Sequence, residues 1–347
     1  MLVVRRVYEN DLDSLFDLIQ KSEFGLTTLK ISKWTLSARI EKSVFAFQQK
    51  NSSPDGLPYV FVMEDLSKGT IVGTCSVYSK VGGFEPQYHY QIKQSRHISE
   101  DLNLENYIDV LHLHEVHDGP SEIGSLFLSP DYWGHGYGRL LSLSRFLFMA
   151  DFKRRFEKEV IAEMRGVVDE HGKSPLWSAL GSYFFQIDFP KADTMSSKSK
   201  KFIADLMPKH PIYIPLLPQE AQAAIGQVHD NTRPALALLE KEGFEFHDCV
   251  DIFDGGPTVH CELNNIRSID QSRSGTIREI KPASLSQSTS PTATQSSTVE
   301  IISNCQLDFR CCMGEICWSD SSATIDEVSA MQLNLTVGDP VRSVRAR

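Results

Sequence analysis

Residues 125–149 read SLFLSPDYWGHGYGRLLSLSRFLFM, and this stretch decides the predicted fold. It opens with an apolar run at 126–128, which Pro130 and the following aspartate interrupt. An apolar segment with helical spacing then occupies 140–149. Between them stand three glycines at alternate positions: Gly134, Gly136 and Gly138. The pattern predicts a strand, a glycine-rich turn and a helix.

The predicted turn places a helix N-terminus beside residues that carry no side chain. The first N–H groups of a helix have no partner within it, and the helix dipole favours anions at that end. Because glycine has no Cβ, a phosphate can approach the backbone closely. The spacing is not the G-x-G-x-x-G of a Rossmann site, and no Gly-Lys-Ser/Thr follows as in a Walker A loop. On the glycines alone, a flexible turn remains an alternative.

Composition limits the function classes that need to be considered. The 347 residues are enough for two domains, and 41% hydrophobic with 23% charged residues is typical of a soluble protein. A net charge of −10 argues against non-specific nucleic-acid binding. We find neither an apolar run near the roughly 18–20 residues that span a bilayer nor a signal-peptide core, so we expect a cytoplasmic protein with no membrane partner.

Cysteine and histidine spacing gives little support for a metal site. The seven cysteines form no CxxC pair, which favours reduced thiols in a cytoplasm. The adjacent pair Cys311 and Cys312, with Cys317, lacks a second ligand pair for zinc. An HxHxxH cluster at 112–117 is interpreted as a solvated loop. We therefore predict no metal.

Strands and helices alternate through residues 1–262, which indicates an α/β or mixed α+β fold. Predicted strands lie at 2–7, 59–63, 70–78, 88–92, 126–128, 160–166 and 244–253. The first predicted helix follows Asp11, which can cap it, and the second occupies 33–48. After the helix of 140–149, further helices are predicted near 175 and at 202–207, 218–225 and 233–242.

Residues 266–347 have a different character. Short strands are predicted at 276–280, 299–305, 310–318 and 340–344, and we expect a small β-barrel there. Residues 284–298 are nearly all Ser, Thr, Gln, Pro and Ala, which predicts a mobile loop. The chain is accordingly divided into 1–265 and 266–347, and packing or oligomer contacts are the simplest role for the second part.

Several longer segments are more specific than the glycine turn. They are GLTTL (25–29), TLSARIE (35–41), SRFLFMADF (144–152), AEMRGVVDEHGKSPLW (162–177), ADLMPKHPIY (204–213), IGQVH (225–229) and DIFDGGPT (251–258). With the turn after LFLSP and the closing LLEKEGF (238–244), they resemble bacterial arginine N-succinyltransferases of the GNAT acyl-CoA N-acyltransferase superfamily. The resemblance covers most of residues 1–265 and implies an α+β fold with a GNAT-like mixed sheet flanked by helices.

The resemblance also implies a reaction and a site. The reaction would transfer succinyl from succinyl-CoA to the α-amine of L-arginine, in arginine catabolism, with succinyl-CoA as co-substrate and no separate cofactor. The family's proton donor lies in the IGQVH segment, which implies His229. The implied acyl-CoA site comprises Leu126, Phe127, Leu128, Gly134, His135, Gly136, Tyr137, Gly138 and Arg139.

Two positions depart from the wider superfamily pattern. Trp133 replaces the usual Arg or Gln at the head of the glycine turn, so the backbone and Arg139 would have to hold the pyrophosphate. Leu239 stands where many members have a tyrosine general acid. A histidine can move protons in both directions near pH 7, so His229 is the candidate to replace that tyrosine.

The amino-acid substrate needs partners of opposite charge. A guanidinium prefers a carboxylate, and a carboxylate prefers Arg, Lys or backbone N–H. The candidates are Glu163, Arg165, Lys209, His210 and Asp254, although structural ion pairs would also explain each of them. Arg165 or Lys209 could instead bind the distal succinyl carboxylate. Two other functions stay open: mixed arginine/ornithine specificity, and a non-catalytic CoA-binding sensor of GNAT fold.

Overall fold

The structure is a computed structural model that describes residues 1–21, 31–50, 53–196, 200–282 and 298–346. The GLTTL segment and residues 284–297 of the predicted mobile loop lie outside these ranges. Thr298, the last residue of that predicted loop, begins a strand.

One continuous sheet runs through the described chain. Its strands are β1 (Leu2–Arg6), β2 (Pro58–Asp65), β3 (Thr70–Tyr78), β4 (Gln87–Ser99), β5 (Leu104–Val116), β6 (Ser121–Leu128), β7 (Glu159–Glu163), β8 (Ile212–Tyr213), β9 (Glu245–Val250), β10 (Pro257–Glu262), β11 (Arg273–Lys281), β12 (Thr298–Ser303), β13 (Arg310–Ser319), β14 (Ser322–Asp326) and β15 (Pro340–Arg345). From β1 the order is β1-β2-β3-β6-β7-β10-β9-β4-β5-β8, and only β6 and β7 in this part are parallel neighbours.

Helices flank the sheet. They are α1 (Leu12–Gln20), α2 (Lys33–Gln48), α3 (Tyr137–Asp151), α4 (Ser182–Phe185), α5 (Phe189–Ser196), α6 (Lys201–Leu206), α7 (Gln219–Ala224), α8 (Arg233–Lys241), α9 (Arg267–Asp270) and α10 (Glu327–Leu333). A mixed sheet flanked by helices is the fold class that the sequence predicted, and it is confirmed.

Helix α3 lies at the centre of the main core. Every residue from 140 to 150 is buried, and the helix packs against β3 and β6 on one side and against β12 and β13 on another. Phe61, Phe148 and Phe309 meet there in edge-to-face contacts. Because Phe309 belongs to the C-terminal part, this core is shared between the two predicted parts of the chain.

The C-terminal strands close on themselves. Their order is β12-β15-β11-β14-β13, and β12 also pairs with β13, so five strands form a ring. The prediction of a small β-barrel thus corresponds to a closed ring of five strands, although it missed β14 and α10. Cys311 and Cys312 face different cores and do not form a shared ligand set.

The strand predicted at 88–92 is present but longer than expected, and two other local predictions were wrong. The strand expected at 88–92 is the first part of a long hairpin, β4–β5, whose distal half is mostly exposed and therefore lacks an apolar alternation. His112 and His114 lie within β5 and not in a loop. Asp11 precedes α1, but its carboxylate accepts from Arg5 at 2.7 Å and does not cap the helix with its side chain. Among the described helices, none is long and apolar enough to cross a membrane.

Candidate active site

The site is built on two parallel strands that separate. Strands β6 and β7 pair at Ser121↔Val160 and Glu122↔Ile161. Beyond Glu122, β6 continues for six residues while its described pairing is with β3 alone. The edge of residues 124–128 that faces β7 therefore lies beside an opening. This edge contains the Leu126, Phe127 and Leu128 segment for which the sequence predicted backbone contacts to the acyl carrier.

A bulge shapes β6 at the opening. Ser125 has φ +52°, and the register with β3 shifts between Thr74 and Ser76. A bulge turns the backbone groups of a strand away from the regular ladder, and bulges are frequent beside functional sites. Both effects leave main-chain donors of β6 available to a bound molecule.

The glycine turn follows directly. Gly134 and Gly136 have φ of +85° and +79°, values that residues with a Cβ rarely adopt, and Gly136 is the N-cap of α3. The space beside both glycines is open, since an added Cβ would meet no described heavy atom within 4 Å. His135 is exposed, and Tyr137 and Gly138 are partly exposed. The predicted strand, turn and helix are all present.

Trp133 and Arg139 show what replaces the usual residue at the head of the turn. The Trp133 indole donates from Nε1 to the Leu128 carbonyl at 3.0 Å, so it fixes the turn against the end of β6. Arg139 Nε is buried and has no hydrogen-bond partner within the described residues. This guanidinium is a donor at the N-terminus of α3, where an anion would sit.

His229 is positioned by the end of β7. Its backbone N–H donates to the Arg165 carbonyl at 2.9 Å, and Val228 forms an antiparallel bridge with Gly166. The ring is partly exposed, and its Nδ1 accepts from the Asn231 N–H at 3.2 Å. The segment IGQVH thus places an imidazole beside the strand that lines the opening.

The charge state of His229 follows from its surroundings. Burial and the nearby Arg165 charge lower the pKa of His229, and Asp230 opposes this shift. Protonation of Nδ1 would set two donors against each other, because Asn231 already donates to that atom. The ring is therefore neutral at pH 7, with Nδ1 as acceptor and the hydrogen on Nε2.

The DIFDGGPT segment holds this arrangement together. Asp254 accepts from the Gly166 N–H and the Gly256 N–H, both at 2.8 Å, and it is 7% exposed. A Cβ on Gly166 would lie 2.5 Å from the Asp254 carbonyl oxygen, so the two backbones touch where only glycine fits. Burial raises the pKa of Asp254 well above its usual range, and Asp251 adds to this effect. These contacts give Asp254, a predicted substrate ligand, backbone partners for both oxygens.

Glu163 ends β7 in an acidic cleft. Its side chain is exposed to solvent. Partial desolvation in the cleft, together with the carboxyl groups of Glu122 and Asp251, raises the pKa of Glu163 to about 8. The Gln87 amide donates from Nε2 to Glu163. Lys200 approaches the same group and opposes the shift.

The structure brings Glu163, Arg165, Asp254 and His229 to one end of β7 but places the other two predicted ligands elsewhere. Lys209 and His210 are exposed and precede β8, the last strand of the sheet order.

Sequence reasoning missed Glu122, Gln87 and Lys200. Glu122 lies in the first part of β6, before the 126–128 segment that the sequence identified, and no local pattern marks it. Gln87 and Lys200 come from distant parts of the chain, and their proximity depends on the tertiary fold.

A second polar cluster lies on the same sheet. Glu159, His247 and His260 bring one ligand atom each within 4.8 Å of one another. The rings of His247 and His260 are stacked at 5.0 Å with an interplanar angle of 23°. Nearly parallel rings direct their lone pairs along separate planes, which does not suit a shared metal ion in this arrangement.

Comparison with known proteins agrees with this geometry. The family model for the arginine N-succinyltransferase beta subunit matches residues 2–268. The chain belongs to this family. The model for the C-terminal domain of that subunit matches residues 283–345. Membership confirms the resemblance stated from the sequence and identifies the chain as an acyltransferase.

Individual relatives cover most of the chain. The arginine N-succinyltransferases of Shigella dysenteriae serotype 1 (strain Sd197) and Escherichia coli (strain K12 / DH10B) are each 48% identical over 285 residues, which is 82% of this chain and 82% of each relative. The structure of arginine/ornithine succinyltransferase subunit AI from Pseudomonas aeruginosa has a TM-score of 0.88 and 32% identity. The alignment of the two structures covers 99% of this chain and 98% of the Pseudomonas aeruginosa chain.

Proposed function

We propose that the chain transfers a succinyl group from succinyl-CoA to the α-amino group of L-arginine. The observation that carries the proposal is the opening between β6 and β7, with the glycine turn at one end of β6 and His229 beside the end of β7. Relatives named for this reaction, at 48% identity over most of the chain, support it.

In this proposal the glycine turn and the open edge of β6 bind the acyl carrier, CoA. The diphosphate of CoA lies at the N-terminus of α3, where the backbone of 134–138 and the Arg139 guanidinium donate to it. The pantetheine arm follows the open edge of β6. The thioester carbonyl then meets a backbone N–H of the 126–128 segment, which stabilises the oxyanion of the tetrahedral intermediate.

The protons balance as follows. The substrate ammonium loses one proton to solvent, and the free amine attacks the thioester carbon. When the intermediate collapses, the carbon–sulfur bond breaks and the amine loses its second proton, which ends on the CoA sulfur. The Nε2–H of His229 donates to the departing sulfur, so the thiolate charge is stabilised while it forms. Leu239, at the position of the usual tyrosine, cannot do this.

Arg165 is proposed to attract the distal succinyl carboxylate, since it lies half-buried beside His229. Arg165→Met should then raise KM for succinyl-CoA more than KM for acetyl-CoA, which lacks that carboxylate. Lys209→Met is the matched control, because Lys209 is exposed beside β8. An equal rise for both thioesters would remove Arg165 from this role.

The deciding experiment is an assay of free thiol released from succinyl-CoA, with and without amino acid. We expect release that depends on arginine, with N-succinylarginine as the product by mass spectrometry. Thioester binding without release would favour the CoA-binding sensor. Equal rates with arginine and ornithine would favour the mixed specificity that is named for the Pseudomonas aeruginosa subunit.

The cellular setting is consistent with this reaction. All seven cysteines are free thiols, which supports the expected cytoplasmic location. A role of the five-stranded ring in oligomer contacts stays a prediction.

A further inference from the structure

The cleft at the end of β7 contains several carboxyl groups and, beside them, a buried amide oxygen without a hydrogen-bond partner among the described residues. The carboxyl groups of Glu122 and Asp251 lie close enough to that of Glu163 to raise its pKa. Gln87 donates to Glu163 from Nε2, and its side chain is only 6% exposed. Its other amide atom, Oε1, is buried without a hydrogen-bond partner in the described chain. Carboxylates beside an unpartnered acceptor suit a cation that donates several hydrogen bonds.

We propose that Glu122, Glu163 and Gln87 form the subsite that binds the guanidinium of L-arginine. This inference rests on the proposed function, and it adds the residues that recognise the acceptor. Glu163 and Glu122 accept from the guanidinium N–H groups, and Gln87 Oε1 accepts another.

The strand register places the two glutamates on one face. Glu122 is the neighbour of Ile161 in the parallel pair, and Glu163 follows Ile161 by two residues. Side chains two residues apart on a strand point the same way. The core lies on the other face, where Ile123, Val160 and Ala162 are buried.

Gly124 opens the space between the glutamates. A Cβ built on Gly124 would lie 3.5 Å from Glu122 Oε1, so this carboxylate leans along β6 over the glycine. Gly124 is also the residue that would oppose Glu163 if the two strands stayed paired. The missing side chain leaves room for a planar group between the carboxylates.

The position also fits the reacting end of the substrate. Arg165, whose carbonyl accepts from the His229 backbone at 2.9 Å, lies two residues after Glu163. Two residues of extended chain span about 7 Å. An extended arginine side chain covers a comparable length, so a guanidinium at Glu163 leaves the α-amine near His229.

The carboxyl groups of the cleft outnumber its cations. Lys200 approaches Glu122, Glu163 and Asp251, and Arg39 approaches Glu122. Asp254 is a further carboxyl group beside Asp251, so a bound guanidinium would reduce an excess of negative charge. In the empty cleft the excess is relieved by proton uptake, because burial and neighbouring carboxylates raise the pKa of Glu163 to about 8.

The test is calorimetric titration of arginine into the CoA complex at pH 7, in two buffers of different ionisation enthalpy. The raised pKa leaves Glu163 partly protonated at pH 7, and a bound guanidinium should expel that proton. We expect net proton release, and the same for agmatine, which has the guanidinium but no carboxylate. Glu163→Gln should reduce the release, and the rest would come from Glu122 and Asp251, whose pKa values are also raised.

Kinetics give a second readout. Glu163→Gln and Glu122→Gln should each raise KM for arginine about 10- to 100-fold, the size of a charged hydrogen bond, and leave KM for succinyl-CoA unchanged. The matched control is Glu159→Gln on the same strand, where Glu159 bonds to His260 at 2.9 Å; it should behave as the wild type.

The outcomes separate this subsite from the reaction itself. A wild type that does not succinylate arginine would overturn the proposed function. A wild type that does so, with both glutamate variants keeping the arginine KM and no proton release on binding, would overturn the subsite alone. Arginine should also be preferred to the shorter ornithine, and Glu163→Gln should narrow that preference.

Discussion

The end of β7 contacts the turn at 254–257 so closely that a single added methyl group should lower the stability of the protein substantially. In Gly256→Ala the new Cβ would overlap the Met164 carbonyl oxygen and lie 2.5 Å from the Gly166 nitrogen. Both neighbours are backbone atoms, so no side-chain rotation relieves the clash. The two segments must separate, and the hydrogen bond from Met164 N to Pro257 O, now 3.0 Å, is the first to be lost.

The cost can be estimated from these contacts. Overpacking of this kind costs about 1–3 kcal/mol, and one buried N–H left without a partner costs about 1–3 kcal/mol more. The sum, about 2–6 kcal/mol, is a large part of the roughly 5–15 kcal/mol that stabilises a typical domain. At about 2–4 °C per kcal/mol, the Tm should fall by at least about 4 °C.

Differential scanning calorimetry of the purified variant measures this directly. Gly83→Ala is the matched control, because its Cβ would come no closer than 3.9 Å to a side-chain atom of Lys80, and it should change stability by less than about 0.5 kcal/mol. If Gly256→Ala melts together with Gly83→Ala and the wild type, the close approach of the two backbones is not a feature of the folded protein.

The remaining predictions concern the site. His229→Ala should lower kcat about 10²- to 10³-fold, measured as arginine-dependent thiol release, because one donor to the developing thiolate is lost; near-normal turnover would exclude the ring from stabilising the departing sulfur. Arg165→Met removes a charge that lowers the pKa of His229, so the acidic limb of the pH–rate profile should move to higher pH, and an unmoved limb would contradict the assignment. Gly138→Ala should raise KM for succinyl-CoA while the Tm is maintained, since its Cβ would add bulk to the turn proposed to hold the diphosphate and meets only Leu128, at 4.0 Å. Burial raises the pKa of Glu163 in the folded chain, so the folded state holds more protons than the unfolded state between about pH 4.5 and 8. The Tm should therefore fall as pH rises through that window, and Glu163→Gln should flatten the curve.

The elements that sequence predicted well carry a local signal. The strand, turn and helix of 126–149 follow from apolar spacing and alternate glycines, and α8 ends at Lys241, just before Gly243, which has φ +97°. The pairing of β4 with β5 was missed because the distal half of this hairpin is mostly exposed, with polar residues and exposed Ile98, Leu104 and Tyr107 in no regular alternation. Its stability comes from cross-strand pairing and from the strands packed beside its base, which no local pattern records.

The candidate site likewise contains residues that the sequence predicted and residues that only the tertiary fold brings together. His229 was predicted through its family-like segment, and the structure adds the reason for its position, the hydrogen bond to the Arg165 carbonyl. Glu163 was named among several carboxylates that sequence could not rank. The structure distinguishes Glu163 from the other carboxylates because Glu122 and Gln87, which lie far apart in the chain, both approach it.

A crystal structure of the chain with CoA and arginine tests the central claim most directly. The account predicts the diphosphate at the N-terminus of α3 and the sulfur between the open edge of β6 and Nε2 of His229. A carrier bound elsewhere, or a sulfur beyond the reach of that ring, would contradict it.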